Sequence, residues 1–221
     1  LLLFFSSIIL CSSVHSQNLY WVDGSGAWED AAHWSKTSGG PGGAAIPTKS
    51  TNVHFDENSF SSSQQFVKIK GKAVCNDFVW HHTPYRPVIK NRYFIFRSLT
   101  RAALEIHGSM IIKDDIRNKF HGDIYLKDLK ERNRKNILSV KPSLHSNLYI
   151  QGGKKGLVLE SDLNTKGDIQ IESGKFIARD KNISVHSFVG SSDRPRTIDL
   201  KNSVVRVKKW NIKNAKNLNF P

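Results

Sequence analysis

The sequence predicts an all-β protein, either a parallel β-helix (solenoid) or a β-sandwich, that begins with a Trp- and Gly-rich cap. Three observations indicate this class. Short aliphatic runs with period-two alternation follow one another from residue 66 almost to the last residue. Glycine and asparagine separate these runs at positions typical of turns. No segment carries the sustained periodicity of an amphipathic helix.

The first sixteen residues, LLLFFSSIILCSSVHS, predict a signal peptide. Their apolar part, residues 1–11, has the length of a signal-peptide hydrophobic region and is too short to span a bilayer. Val14 and Ser16 supply the small residues that precede a cleavage site, so we expect cleavage between Ser16 and Gln17. Because the usual initiator Met and basic residues do not precede this segment, we expect a fragment of a longer exported protein.

Residues 17–65 form the predicted cap, which contains Trp21, Trp28 and Trp34 among the five tryptophans of the chain. Exposed indole faces would stack on sugar rings and bind a glycan. Buried indoles would instead cover the end of the hydrophobic core, with glycines providing the tight turns. We favour the second interpretation. Within the cap, residues 39–50 and 59–65 are expected to be loops, and residues 52–56 a short strand.

Residues 66–221 are predicted to be the strand-rich body of the protein. From Leu157 onward the strands begin about twelve to fifteen residues apart, a rhythm that fits coils of roughly twenty or more residues. The side chains repeat only loosely, so this rhythm leaves the solenoid and the sandwich both open. The aliphatic residues expected to build the core are Ile106, Ile112, Leu126, Ile150, Leu159, Ile171, Ile183, Val185, Leu200 and Val207.

The chain carries 33 Lys and Arg against 19 Asp and Glu, a net charge of +14. A positive field of this size attracts polyanions, and the extracellular candidates are acidic polysaccharide, lipopolysaccharide and released DNA. The alternative is that the charge only solvates the surface. The densest basic run, residues 127–135, contains no aromatic residue on which bases would stack, which argues against a specific nucleic-acid site.

The sequence contains no pattern that predicts a catalytic group, a metal site or a cofactor. His81 and His82 are adjacent on an extended segment and point to opposite faces, so they are poorly placed to chelate one ion. The pair Asp114-Asp115 lies among cations in a turn-like stretch. Once the signal peptide is removed, Cys75 is the single thiol, which excludes an intrachain disulfide and predicts a small core residue.

Several segments resemble the N-terminal region of large, secreted, adhesin-like surface proteins of Bacteroidota. The residues that carry the resemblance are 20–28 (YWVDGSGAW), 33–35 (HWS), 39–40, 46–48 and 53–56, with 104–110, 159–165 and 197–203 farther on. These proteins are built on parallel β-helix repeats and carry the type IX secretion sorting domain associated with gliding motility. The chain departs from them in bearing Lys and Arg at solvent positions where they usually carry Ser, Thr and Asn. The sequence stops at Pro221 before a sorting domain, from which we expect either a fragment of a longer protein or a different route of export, and the missing initiator Met favours the fragment.

The resemblance favours a right-handed parallel β-helix over the β-sandwich, with a body truncated at its C-terminus. It also implies a secreted or cell-surface, non-catalytic protein that acts as an adhesin or structural stalk. The positive charge adds anionic polysaccharide or cell-surface glycans as expected partners. The alternative function is a polysaccharide lyase or hydrolase, since such enzymes also use β-helix scaffolds.

Overall fold

The computed structural model describes residues 16–91, 102–113, 116–127, 134–190, 192–213 and 217–221. Residues 1–15 of the predicted signal peptide, the Asp114-Asp115 pair and most of the basic run at 127–135 lie outside the described residues. The signal peptide therefore stays a prediction. Among the described residues, no helix has the length and apolar composition needed to cross a membrane.

The regular secondary structure of the described chain is β-strand, apart from one short 3-10 helix at Ala31–His33. The strands of the first half are β1 (Gln17–Trp21), β2 (Gly26–Ala27), β3 (Trp34–Ser35), β4 (Thr51–Phe55), β5 (Phe66–Ile69), β6 (Lys72–Cys75), β7 (Phe78–Trp80), β8 (Val88–Asn91), β9 (Ala103–Ile106), β10 (Met110–Ile112) and β11 (Arg117–Lys119). Those of the second half are β12 (Asp123–Lys127), β13 (Asn136–Val140), β14 (Leu148–Gln151), β15 (Leu157–Leu159), β16 (Leu163–Asn164), β17 (Asp168–Ile177), β18 (Asn182–Val189), β19 (Arg196–Asp199), β20 (Val204–Asn211) and β21 (Leu218–Asn219).

The strands pair into three parallel ladders. The first ladder contains β1, β4, β7, β10, β13, β15, β17, β19 and β21. The second contains β2, β5, β8 and β11, and the third contains β6, β9, β12, β14, β17, β18 and β20, with β16 paired to β18. The chain visits the ladders in a fixed order, so that β4, β5 and β6 are followed by β7, β8 and β9 in the same three ladders.

The pairing makes the sheet mostly parallel, as an antiparallel β-sandwich would not be. Among the named strand pairs of the described residues, β1 with β3 is the antiparallel one. Strand β17 belongs to the third ladder through its first half and to the first ladder through its second half. The first and third ladders are thereby joined into one 17-stranded sheet, while β2, β5, β8 and β11 form a separate four-stranded sheet.

The core consists of columns of side chains that occupy the same register position in successive strands. In the first ladder one buried column is Leu19, Val53, Phe78, Met110 and Leu138. Period-two alternation directs these side chains inward and their neighbours outward, as the sequence predicts. Burial of each such side chain contributes about 1.5–3 kcal/mol. Hydrophobic burial along these columns therefore stabilises a chain that contains no disulfide among its described residues.

Eight of the ten expected core residues are buried, and two are only partly so. Leu200 and Val207 pack against the core but stay partly exposed. Val207 lies on β20, which pairs with β18 on one side, and no described strand pairs with its other edge over Val204–Val207. Val207 is therefore covered by a neighbouring strand on one side only among the described residues. Cys75 is fully buried, and burial followed by the charge of Asp77 raises the pKa of its thiol well above the usual range.

The predicted cap shares its pairing and its core with the body. Strand β4 pairs in parallel with both β1 and β7, and the indoles of the cap pack on Phe55 and Phe78. The loop expected over residues 39–50 is free of strand and helix, as predicted. The expected strand at 52–56 is β4, displaced by one residue toward the N-terminus.

Candidate anion-binding cleft

A cleft of about 1120 Å³ opens at the corner where strands of the third ladder lead into strands of the first. The chain returns to this corner four times, at residues 151–154, 173–175, 194–197 and 217–219, and each return is called a pass. Its lining residues are Gln151, Gly152, Gly153, Lys154, Ser173, Gly174, Lys175, Arg194, Pro195, Arg196, Thr197, Asn217, Leu218 and Asn219. The cleft thus runs across strands that are far apart in sequence and adjacent in space.

Two glycines let the passes approach each other at this corner. Gly174 has a φ of +72°, and a Cβ at this position would overlap the carbonyl oxygen of Gly152. The backbone amide of Gly152 donates to the Ser173 carbonyl at 2.9 Å, and the Gly174 amide donates to the Pro195 carbonyl at 2.9 Å. These bonds continue the parallel pairing around the corner, so the cleft has a floor of hydrogen-bonded backbone rather than a flexible loop.

Three exposed cations line the cleft: Lys154, Lys175 and Arg194. None of the lining residues that the structure describes is an aspartate or a glutamate. Clefts lined by one sign of charge focus the electrostatic potential and concentrate oppositely charged ligands. The arrangement therefore favours an anion.

A fourth cation, Arg196, is buried and holds the loop that carries Arg194. Its Nη2 donates to the carbonyl oxygens of Gly190 and Lys213, each at 2.6 Å, and its Nη1 donates to the carbonyl of Arg194 at 3.2 Å. Nη1 also donates to the Ser192 carbonyl. These bonds hold the guanidinium of Arg196 in the wall of the cleft.

Amide and hydroxyl side chains complete the lining, among them Ser173, Thr197, Asn217 and Asn219. Such groups donate and accept hydrogen bonds and suit the hydroxyl groups of sugars. Glu172 precedes the lining residue Ser173 on β17, and its carboxylate accepts a hydrogen bond from Gln151 Nε2 at 2.6 Å. Acid–base hydrolysis uses a pair of carboxylates across the bond that is cut, and the lining offers no such pair.

The predicted ligand-binding residues Trp21, Trp28 and Trp34 lie far along the chain from this cleft and are buried. Each exposes at most 1% of its surface. Trp21 Nε1 donates to the Gly24 carbonyl at 2.7 Å, Trp34 Nε1 donates to the Trp28 carbonyl at 2.8 Å, and both rings meet neighbouring indoles edge to face. The faces that stacking on sugar rings requires are covered by protein.

The structure brings His81 to His54 rather than to His82. Nδ1 of His54 and Nε2 of His81 are 3.2 Å apart, and the His54 ring stacks between His81 and Tyr20. Burial, followed by the charge of His81, lowers the pKa of His54 below its usual 6.5. Within the described part of the chain, no group of three or more His, Cys, Asp or Glu side chains is placed to hold a metal ion.

One charged cluster on the outer face of the third ladder escapes sequence reasoning. The buried carboxylate of Glu105 accepts hydrogen bonds from Lys72 at 2.7 Å, Lys127 at 2.8 Å and His107 at 2.7 Å. Burial alone would raise the pKa of Glu105, but the bonds from Lys127, Lys72 and His107 outweigh it and lower the pKa to about 2. These residues lie on β6, β9 and β12 or next to them, and only the strand register shows that they meet.

Comparisons of the chain with protein-family models, with curated proteins and with solved structures give no match. The class that the fold and the cleft define is an all-β protein with a large, mostly parallel sheet and a basic cleft at one corner. The resemblance to Bacteroidota surface proteins stays a prediction.

Proposed function

We propose that the chain is a right-handed parallel β-helix that acts outside the cell as a non-catalytic, adhesin-like or structural protein. In this proposal the basic cleft binds anionic polysaccharide. The single observation that carries it is the row of exposed cations, Lys154, Lys175 and Arg194, in a cleft whose lining contains no carboxylate.

The β-helix proposal rests on the order in which the chain visits its ladders. The passes β4–β5–β6 and β7–β8–β9 each contribute one strand to each of the three ladders, and the second pass pairs in parallel with the first in all three. Connections between parallel strands of one sheet are right-handed in almost all proteins, which supports the right hand for the coil. Leu144 and Thr165, which lie between β11 and β18 in the sequence, form an isolated parallel bridge, so parallel pairing continues in this part of the chain.

The choice of a polysaccharide as ligand follows from the shape of the cleft. Its charges and hydrogen-bonding groups are spread over four passes of the chain, so a small anion would contact only part of them. An extended polymer with acidic groups and many hydroxyls would contact the whole row. The apolar N-terminal segment and the resemblance to secreted surface proteins support an extracellular polymer.

The test is binding of purified protein to polygalacturonate and to alginate, with substitution of the three cleft cations by glutamine (K154Q, K175Q and R194Q together). Exposed ion pairs contribute up to about 1 kcal/mol each, so the triple variant should bind roughly 10- to 100-fold more weakly. Binding of the wild type should weaken steeply as the ionic strength rises.

The matched control replaces three exposed lysines elsewhere, Lys113, Lys141 and Lys208, by glutamine. It lowers the net charge by the same three units, from +14 to +11. If both triple variants lose affinity equally, the attraction is diffuse and the cleft is not the site. Release of unsaturated or reducing ends from either polymer would instead favour the alternative function, a lyase or hydrolase.

A further inference from the structure

A column of lysines stands on the outer face of the second ladder, away from the cleft. Lys68 on β5, Lys90 on β8 and Lys119 on β11 occupy the same register position in three successive strands. Their neighbours Val67 and Ile89 point into the core, so alternation directs the lysines outward.

This column is electrostatically unfavourable on its own. Neighbouring strands lie about 4.8 Å apart, and like charges directly opposite each other destabilise a sheet. Burial, followed by the charges of Lys68 and Lys119, lowers the pKa of Lys90. No aspartate or glutamate of the described residues forms an ion pair with any of the three lysines. Among the described residues, the column therefore presents a line of positive charge that no carboxylate pairs with.

Two further groups fix the geometry of this face. The ammonium group of Lys90 lies 3.4 Å from the centroid of the Phe66 ring, which orients the middle lysine. Arg117, on the same outer face of β11, donates from Nε to the Arg86 carbonyl at 3.0 Å and from Nη2 to the Ser63 carbonyl. These acceptors leave the positive charge of Arg117 in place beside the column.

We propose that the Lys68–Lys90–Lys119 column is a second binding site for anionic polysaccharide, occupied by a linear polyuronate that runs across the strands. A polyuronate carries one carboxylate on each sugar ring. The length of a sugar ring is comparable with the spacing of neighbouring strands, so a polyuronate that lies across the strands brings carboxylates within reach of the long lysine side chains. The inference takes its class of ligand from the proposed function, but it uses other residues on another ladder.

Two separate polymer-binding sites, the cleft and the lysine column, allow one protein molecule to bind two stretches of polymer at once. The lysine column lies on β5, β8 and β11, whereas the cleft is built by residues 151–219. One straight stretch of polymer cannot occupy both sites, so a single protein molecule joins two stretches. The expected result is cross-linking of polyuronate chains.

The first test measures the affinity of oligogalacturonates of increasing length for the cleft triple variant (K154Q, K175Q and R194Q). Affinity should rise with each added sugar until the oligomer spans the three lysines, and then level off. Adding K68Q, K90Q and K119Q should reduce the remaining affinity at least about tenfold. The matched variant K68R, K90R and K119R keeps the charge and should retain binding, which separates loss of charge from loss of fold.

The second test is the thermal stability of K68Q and of K119Q without ligand. Removal of one charge from a repulsive column should raise the melting temperature, whereas a structural role would require it to fall. The failures are distinguishable. If the wild type binds no polyuronate, the proposed function is wrong. If the wild type binds, the cleft variant (K154Q, K175Q and R194Q) loses all binding and a variant with only K68Q, K90Q and K119Q loses none, the cleft is the binding site and the second site is overturned. Equal competition by single-stranded DNA would also overturn it.

Discussion

Replacing Glu105 by glutamine should expose how much the charged cluster of the third ladder stabilises the fold. Glutamine keeps the shape of the side chain and removes its charge, which leaves Lys72, Lys127 and His107 facing one another. The carboxyl pKa is lowered from its usual 4.5 to about 2, and at 1.36 kcal/mol per unit this corresponds to about 3 kcal/mol. The Lys72 side chain is 59% exposed, and solvent screening of its charge reduces the expected loss to about 2–3 kcal/mol.

The stabilisation by Glu105 should depend on pH in a definite direction. A carboxyl whose pKa is lowered by folding contributes its full stabilisation above pH 4.5, and the contribution disappears as the pH falls through about 2. Urea unfolding followed by tryptophan fluorescence should show a gap between wild type and Glu105→Gln at pH 7 that closes toward pH 2. The control is Glu160→Gln, which removes an exposed carboxylate. Two curves that stay parallel over this range would refute the reasoning.

Two further predictions concern the corner glycine and the histidine pair. Gly174→Ala should lower the free energy of unfolding by at least about 2 kcal/mol, because alanine at φ +72° is strained and its Cβ overlaps Gly152; thermal unfolding measures this. Gly71→Ala, where a Cβ has open space, should change the stability by less than about 1 kcal/mol, and similar losses at both positions would contradict the argument. The lowered pKa of His54 makes folding less favourable as the pH falls below 6.5, so stability should decline there in wild type and remain flatter in His54→Gln. An NMR titration that places the pKa of His54 at or above 6.5 would rule this out.

The strands and most of the core follow from the sequence because period two is a local signal. Ile169 and Ile171 flank Gln170, and the structure buries both isoleucines and leaves Gln170 partly exposed. Val207 was expected inside by the same rule and is only partly buried. Alternation tells which face a side chain takes, but burial also needs a neighbouring strand on each side, and that is a property of the whole arrangement.

The cleft and the charged clusters could not be read from the sequence in the same way. Lys154 and Lys175 belong to different passes of the chain, and nothing near either residue indicates that they share a surface. The same holds for Glu105 and its partners, and for Lys68 and Lys90. Each of these groupings depends on strand register, which is set by the packing of the core and by the length of every connection between strands.

The continuous strand β17 has a consequence for how the length of this chain can vary. It passes from the third ladder to the first through a one-residue register shift at Glu172 and the bend at Gly174, so a further residue there would displace the pairing with both ladders. The exposed part of the connection between β4 and β5, residues 61–64, lies outside the strands and has more room to absorb such a change. Natural length variation, and the choice of a position for an epitope or a fluorescent label, should therefore concentrate in the early connections and avoid the later bends.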